Sequence, residues 1–281
     1  MKSCEAGAPS PVWAESAFPA RQPAGVSGFL RQSLALAEME LRKLRHDPTE
    51  LMTRIIQPAL WLGVFGEVFA HVRAIPTGEL PYLDFMAPGV LAQSVLFIAI
   101  FYGIAVIWER DLGLVHKLLV SPAPRITLVL GKALSAGVRA LPQAFMVYLL
   151  AWALGVKINW HPGALAGVAV AVLLGAAAFS TLSLIAACIV KTRERFMGIG
   201  QALTMPLFFA SNAVYPISIM PGWLKTLAHI NPLTYEVDAM RALMVEGGRS
   251  LYGIGLDFVV LVAATTVLTG LASRLYPNLG R

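Results

Sequence analysis

Long apolar stretches alternate with short polar connections along this chain, and the lengths of those stretches set its class. Six of them approach the roughly 20 residues that an α-helix needs to cross the hydrocarbon core of a bilayer. They cover about 52–70, 85–107, 137–156, 164–190, 198–215 and 253–273. The fourth is longer than needed, so it tilts or extends beyond the bilayer. Before the first, Leu30, Leu34, Ala37, Leu41 and Leu44 recur at spacings of four and three, with Arg31, Glu38, Arg42 and Arg45 elsewhere on the turn. That pattern predicts an amphipathic helix over 28–46, too charged to span and suited to lie at the interface. Asp47-Pro48 ends it. The pattern therefore predicts an all-α polytopic membrane protein with six transmembrane helices and an N-terminal interfacial helix.

One apolar-rich run breaks the rule. From Val214 to Arg241 the chain carries Pro216, Pro221, Gly222 and Pro232, so it cannot form one continuous spanning helix. Unpaired backbone groups are not tolerated against lipid tails. This run must sit at a water interface or fold in against other protein.

Composition agrees with the membrane reading and adds limits. Hydrophobic residues make up 57% of the 281 and charged ones 14%, against about 25% charged in an ordinary soluble domain. One membrane domain over 27–281 fills the chain and leaves no room for a large soluble one, while 1–26, rich in Pro, Ala and Ser, reads as a disordered cytoplasmic tail. Two cysteines, Cys4 and Cys188, exclude a disulfide framework or a four-cysteine metal site. The net charge of +6 fits a cytoplasmic excess of Lys and Arg better than a nucleic-acid partner.

The distribution of those cations gives an orientation. With the N-terminus inside, seven of the 22 Lys and Arg lie at or before Arg54, four lie in the 108–136 loop, three in the 191–197 loop and two after the last span. Only Arg73, Lys157, Lys225, Arg241 and Arg249 fall outside, and Arg139 lies within the third span. Both termini are therefore expected in the cytoplasm, and the broken run on the outer face. Tyr252 and Tyr276 bracket the last span, and Trp160 and Trp223 fall in outer loops, as headgroup anchors would. Gly163, Gly167, Ala171 and Gly175 form a small-residue stripe on the fourth span. Such a stripe serves packing inside one subunit or a dimer seam.

The longest cytoplasmic connection, 108–125, puts Glu109, Arg110 and Asp111 ahead of an apolar and basic turn from Leu114 to Leu119, ended by Ser121, Pro122 and Pro124. It reads as a short amphipathic helix able to dock in a partner's groove, or as a solvated connector. Glu109-Arg110-Asp111-Leu112-Gly113, then Leu118-Leu119-Val120-Ser121-Pro122 and Gly131-Lys132, resembles the cytoplasmic loop of type-2 ABC transporter permeases. The run from Pro216 to Trp223, followed by Asn231-Pro232-Leu233-Thr234-Tyr235 and Asp238-Ala239-Met240-Arg241, is similar to that family's C-terminal signature. Within the family the likeness is greatest to daunorubicin-resistance and nodulation-factor exporter permeases, and it covers about 28–275.

The resemblance implies a six-helix permease working as a dimer in the plasma (inner) membrane, each copy bound to a separate ATPase subunit that holds ATP and Mg. It implies export of a drug-like or lipid-like amphiphile, with no cofactor and no catalytic residue in this chain. Coupling to the ATPase would fall to the interfacial helix and to the loop carrying Glu109, Arg110, Asp111, Gly113, Leu118, Ser121 and Pro122. Short outer helices that half re-enter the membrane would occupy 216–245, with Pro216, Pro221, Trp223, Asn231, Pro232, Tyr235 and Arg241 forming an outer gate. Phe97, Phe101, Phe208 and Phe209 are candidates for a substrate path, and otherwise plain core or lipid-facing residues.

Other chemistry lacks its residues. Gly131-Lys132 is not a phosphate loop, because position 126 is Ile and position 133 is Ala. The five histidines are scattered, with no H-E-x-x-H pair for a metal. No paired acid and base supports an intramembrane enzyme, and the spans lack the polar lining of a passive channel. A lipid-linked glycan exporter of the same fold stays open as an alternative. Glu67 and Asp257 fall near outer span ends, where a carboxylate reaches water, and Arg139 near a cytoplasmic end, where it can snorkel. Glu67 is also a candidate for the outer mouth of the substrate path.

Overall fold

The computed structural model describes residues 48–72, 75–78, 80–112, 125–190 and 192–276. The expected tail over 1–26, the interfacial helix over 28–46 and the loop centre over 113–124 lie outside the described residues.

The described chain is helical. It comprises α1 (Pro48–Leu60), a π-helical stretch (Trp61–Gly66), α2 (Glu67–Val72), α3 (Tyr82–Asp111), α4 (Arg125–Ala153), α5 (Pro162–Ile189), α6 (Arg193–Phe209), a 3-10 turn (Ile217–Ile219), α7 (Gly222–Ile230), α8 (Pro232–Met244) and α9 (Ile254–Leu275). Among the described residues, five helices are long and apolar enough to cross a membrane: the joined segment Thr53–Val72, α3, most of α4, α5 and α9. The expected fifth span, 198–215, takes a different form. Its helix starts earlier, at Arg193, and stops at Phe209 after 17 residues, a reach of about 26 Å. Turns then carry the chain through Ala210–Tyr215.

Polar caps and prolines explain most boundaries. His161 caps α5, its Nδ1 accepting from the Gly163 amide at 3.2 Å, and Pro162 takes the first helical position. Thr192 caps α6 in the same way. Pro58 inside α1 cannot donate to the Arg54 carbonyl four residues back. Gln143 of α4 supplies that donor, its Nε2 lying 3.3 Å from the Arg54 oxygen.

α5 is the hub, packing on α3, α4, α8 and α9. The main core gathers Val90, Leu91 and Leu96 of α3 with Phe179 of α5 and Leu233 and Met240 of α8. The glycine stripe on α5 faces α8 of the same chain. A Cβ at Gly167 would stand 2.8 Å from Leu243 Cδ1, and one at Gly175 would overlap the Glu236 carboxyl group. Packing within one subunit therefore accounts for both glycines. A second core cluster lies at the other end of the bundle, around Val106, Val129, Leu184 and Tyr276. Tyr276 is fully buried there. It is a core residue, where the sequence pattern places a headgroup anchor. Trp160 and Trp223 are exposed, as expected of anchors.

Candidate functional site

Two networks of paired polar side chains lie at opposite ends of α6. At the first end, consecutive residues 108–111 of α3 tie down three neighbours. Glu109 pairs with Lys132 of α4. Asp111 Oδ2 accepts from Arg193 Nη2 at 2.7 Å and Nε at 3.1 Å, at the start of α6. The Arg193 guanidinium also lies 3.8 Å from the centre of the Trp108 ring. Arg110 Nη1 donates to the Val190 carbonyl, the C-cap of α5, at 3.3 Å.

These groups are partly exposed, so solvent screening keeps each ion pair weak. Their effect is geometric: α3, α4, α5 and α6 converge on the point from which the 112–125 connection leaves. Of the seven expected coupling residues, Glu109, Arg110 and Asp111 meet in this cluster. Gly113, Leu118, Ser121 and Pro122 lie outside the described residues. Lys132 and Arg193 complete the cluster. Their pairing could be read only once the helix ends were known to meet.

At the opposite end, Asp238 of α8 organises the turn before α9. Its Oδ2 accepts from the Leu251 amide at 2.6 Å and the Tyr252 amide at 3.2 Å, and lies 2.9 Å from Ser250 Oγ. Ser250 Oγ also lies 2.7 Å from Asp257 Oδ2. Asp257 is thus buried under this turn and does not reach water as its place near a span end suggests.

Arg241, one turn after Asp238, is buried as well. Its Nη2 donates to the Asn212 carbonyl at 2.7 Å, its Nε to the Phe85 carbonyl at 3.3 Å, and its guanidinium lies 3.8 Å from the Phe85 ring centre. Burial pulls its pKa down to about 10, and the nearby Asp238 carboxylate opposes that shift. The guanidinium stays charged at neutral pH.

Asn231 joins three helices at once. Its Oδ1 accepts from the Leu233 amide at 3.0 Å and so caps α8. Its Nδ2 lies 2.7 Å from the Leu207 carbonyl and 3.2 Å from that of Ala210, at the C-terminus of α6 where carbonyls lack intrahelical donors. Tyr235 Oη donates to the His229 carbonyl at 2.8 Å, and Tyr252 Oη lies 2.7 Å from His229 Nδ1. Burial and the neighbouring acids push the Tyr252 hydroxyl up to about 12.

Of the expected gate residues, Asn231, Tyr235 and Arg241 therefore share one hydrogen-bonded end. Pro216 lines a cavity of about 410 Å³ there, together with Asp238 and Arg241. Pro221 and Pro232 start α7 and α8, while Trp223 is exposed and makes no part of the network.

The candidate path residues fall into three separate groups. Phe97 and Phe101 stack with centroids 5.9 Å apart and line a cavity of about 400 Å³ between α1, α3 and α4. Phe208 and Phe209 of α6 pack edge-on against Trp61 at 5.6 and 6.3 Å. Glu67 is exposed, 3.9 Å from His71. Arg139 does not simply snorkel. It lines the Phe97–Phe101 cavity, 5.0 Å from the Tyr102 ring centre.

One acid falls outside both ends and was not singled out by any motif. Glu236 of α8 is fully buried, and neither carboxyl oxygen has a hydrogen-bond partner. Burial raises its pKa well above the usual carboxylate range. Among the described residues no group of His, Cys, Asp or Glu could hold a metal ion.

The amino-acid sequence that forms this bundle matches a known family model. The model for ABC-2 type transporters covers residues 31–245. The chain belongs to the ABC-2 type transporter family. A daunorubicin-resistance ABC transporter permease of Streptomyces coeruleorubidus is 27% identical over 288 residues, covering 96% of this chain and 98% of that protein. Nodulation protein J of Sinorhizobium fredii is 27% identical over 62% of this chain and 67% of its own length. A ycf38 protein of Cyanophora paradoxa, named as a transport permease, is 28% identical over 76% of this chain and 74% of its own length. This ABC-2 protein is thus a multi-pass membrane permease subunit, not itself an ATPase, and the family implies a partner subunit that hydrolyses ATP.

Proposed function

We propose that this permease exports an amphiphilic, drug-like or lipid-like substrate, as one half of a dimer driven by separate ATPase subunits. The observation that carries the reading is the ion-paired junction of Glu109 with Lys132 and Asp111 with Arg193. A push on the 112–125 connection at that junction is delivered to α3, α4 and α6 together. In this reading the junction faces the cytoplasm, in keeping with the excess of Lys and Arg on that side.

α6 runs from the Asp111 pair at one end to the Asn231 contacts at the other, which supports a sixth, short crossing. α7 and α8 are then the outer re-entrant elements. The Asn231, Tyr235 and Arg241 network becomes the outer gate, joined to the moving α6 through the Leu207 and Ala210 carbonyls. Outward opening would have to break or carry those bonds. The relatives named for daunorubicin resistance favour an amphiphilic cargo.

The test is transport by the permease reconstituted with its ATPase subunit. Glu109→Gln and Asp111→Asn should lower substrate-stimulated ATP hydrolysis while leaving membrane insertion intact. Normal stimulation in both variants removes the junction from the coupling route.

A further inference from the structure

The cavity beside Pro216 measures about 410 Å³ and is walled by two turns, 216–218 and 247–251, above the Asp238 and Arg241 side chains. That volume lies at the lower end of the range for small-ligand pockets, roughly 300–1,000 Å³. It suits a headgroup rather than a whole lipid.

The charges lining this space do not cancel. Asp238 and Arg241 are 1% and 5% exposed, and Oδ1 of the acid lies 3.8 Å from Nη1 of the arginine, so the floor carries a closed pair. Asp238 Oδ2 is committed to the Leu251 and Tyr252 amides and to Ser250. The Arg241 guanidinium is held by the Phe85 and Asn212 carbonyls. Arg249, on the rim, adds a cation that nothing offsets. It is exposed, and among the described residues its guanidinium meets neither an acid nor a carbonyl. Ser218, on the other turn, is exposed and also has no hydrogen-bond partner among the described residues. A guanidinium presents its N–H groups in a planar fork that takes two phosphate oxygens at once. The Ser218 hydroxyl offers a further donor from the opposite turn.

A second observation says which anion lies within reach. Exposed tryptophans flank this end of the bundle. Trp152 and Trp160 bracket the 157–159 segment, which is bonded to the Met244 carbonyl and the Glu246 amide just before the 247–251 turn. Trp223 stands at the start of α7. Such rings favour the headgroup level of a bilayer, where lipid phosphates lie. An apolar surface also leads away from the cavity. Ile217, which lines it, packs with Leu224 and Ala228 of α7. Next to these, Ile219, Trp223 and Leu227 are exposed. A lipid with its phosphate at Arg249 has that surface for its acyl chains.

We propose that this cavity binds the head of an anionic phospholipid from the surrounding bilayer, its phosphodiester held by the Arg249 guanidinium and the Ser218 hydroxyl, its chains along Ile219 and α7. Choline and ethanolamine lipids are disfavoured, because their ammonium group would sit beside Arg249 while Asp238 is already paired. The binding stands on the cavity and does not depend on export or on the coupling route.

Phosphatidylglycerol is the probe. The full chain in complex with its ATPase subunit, held in detergent, is titrated with phosphatidylglycerol and with phosphatidylcholine, and the retained lipid is counted by native mass spectrometry. Retention of the anionic lipid about fivefold or more over the zwitterionic one is expected. The preference should collapse in Arg249→Gln. It should persist in Arg195→Gln, which removes an exposed arginine near the start of α6 at the opposite end. Equal retention of the two lipids, a preference that survives Arg249→Gln, or one lost equally in Arg195→Gln would overturn the proposal.

Competition on the unaltered protein gives an independent reading that no folding defect can confuse. Dodecyl phosphate should displace the bound lipid, while dodecyltrimethylammonium and millimolar inorganic phosphate should not. Displacement by inorganic phosphate would assign the cavity to a soluble anion and overturn the lipid assignment, as would displacement by the cationic competitor. The exporter reading is judged separately, by stimulated ATP hydrolysis in Glu109→Gln and Asp111→Asn. Its failure with the lipid preference intact would leave this site standing.

Discussion

The Glu236 carboxyl group fills the space that a side chain at Gly175 would need. Gly175→Ala should therefore lower stability by about 1–3 kcal/mol, the usual cost of overpacking. In a Glu236→Ala background the same change should cost far less, giving a coupling of about 0.5–3 kcal/mol between the two positions. A double-mutant cycle by chemical unfolding in detergent checks this. Additive effects would mean that the helices do not meet at these residues.

Glu236 also makes stability depend on pH. Its pKa in the folded protein is raised, because burial disfavours the charged form. The folded state therefore holds its proton where the unfolded chain has released it. Stability is full below the unfolded value of about 4.3 and declines as pH rises toward the folded value. Glu236→Gln should remove that decline. The midpoint of thermal unfolding in the variant should gain on the native chain steadily as pH rises from 5 to 8, and parallel curves would contradict the buried carboxyl.

Removing Asp238 should be severe. Asp238→Ala takes the acceptor from two backbone amides and leaves the Arg241 guanidinium buried without its acid. Breaking a buried ion pair from one side costs about 3–5 kcal/mol. Ser250→Ala removes one hydroxyl from the same turn and should cost about 1 kcal/mol. Unfolding midpoints of the two variants should fall in that order.

At the opposite end, on the proposed coupling route, charge should matter for coupling more than for stability. Glu109→Lys should reduce stimulated ATP hydrolysis toward the unstimulated rate of the partner subunit while changing stability by at most about 1 kcal/mol. Adding Lys132→Glu restores the pair with its charges exchanged and should recover much of the stimulation. No recovery in the double variant would assign Glu109 a contact other than Lys132.

Much of this was legible in the chain because membrane physics leaves few choices. Apolar runs near 20 residues correspond, among the described residues, to five helices long and apolar enough to cross a membrane, and Pro221, Pro232 and Asn231 gave the breaks that became α7 and α8. Length alone could not foresee that the fifth run would begin its helix at Arg193 and end it at Phe209, since that depends on Asp111 and Asn231 from distant parts of the chain. Tyr276 and Asp257 were misplaced for a related reason. A residue near a span end reaches water only if no loop or neighbouring helix covers it, and here Leu184 and the 245–252 turn do. The aromatic residues of the candidate path were identifiable by type. Their division between the α3 cavity and the Trp61 cluster was not, because it depends on which helix faces they occupy.

Cysteine cross-linking to the ATPase subunit tests the assignment of the two ends most directly. In a background with Cys4→Ser and Cys188→Ala, Ser121→Cys should form a one-to-one covalent adduct with a cysteine on the docking surface of the partner, while Trp223→Cys forms none. An adduct at Trp223→Cys, or none at Ser121→Cys in a complex that still co-purifies, would contradict an ATP-driven stroke delivered through the 112–125 connection.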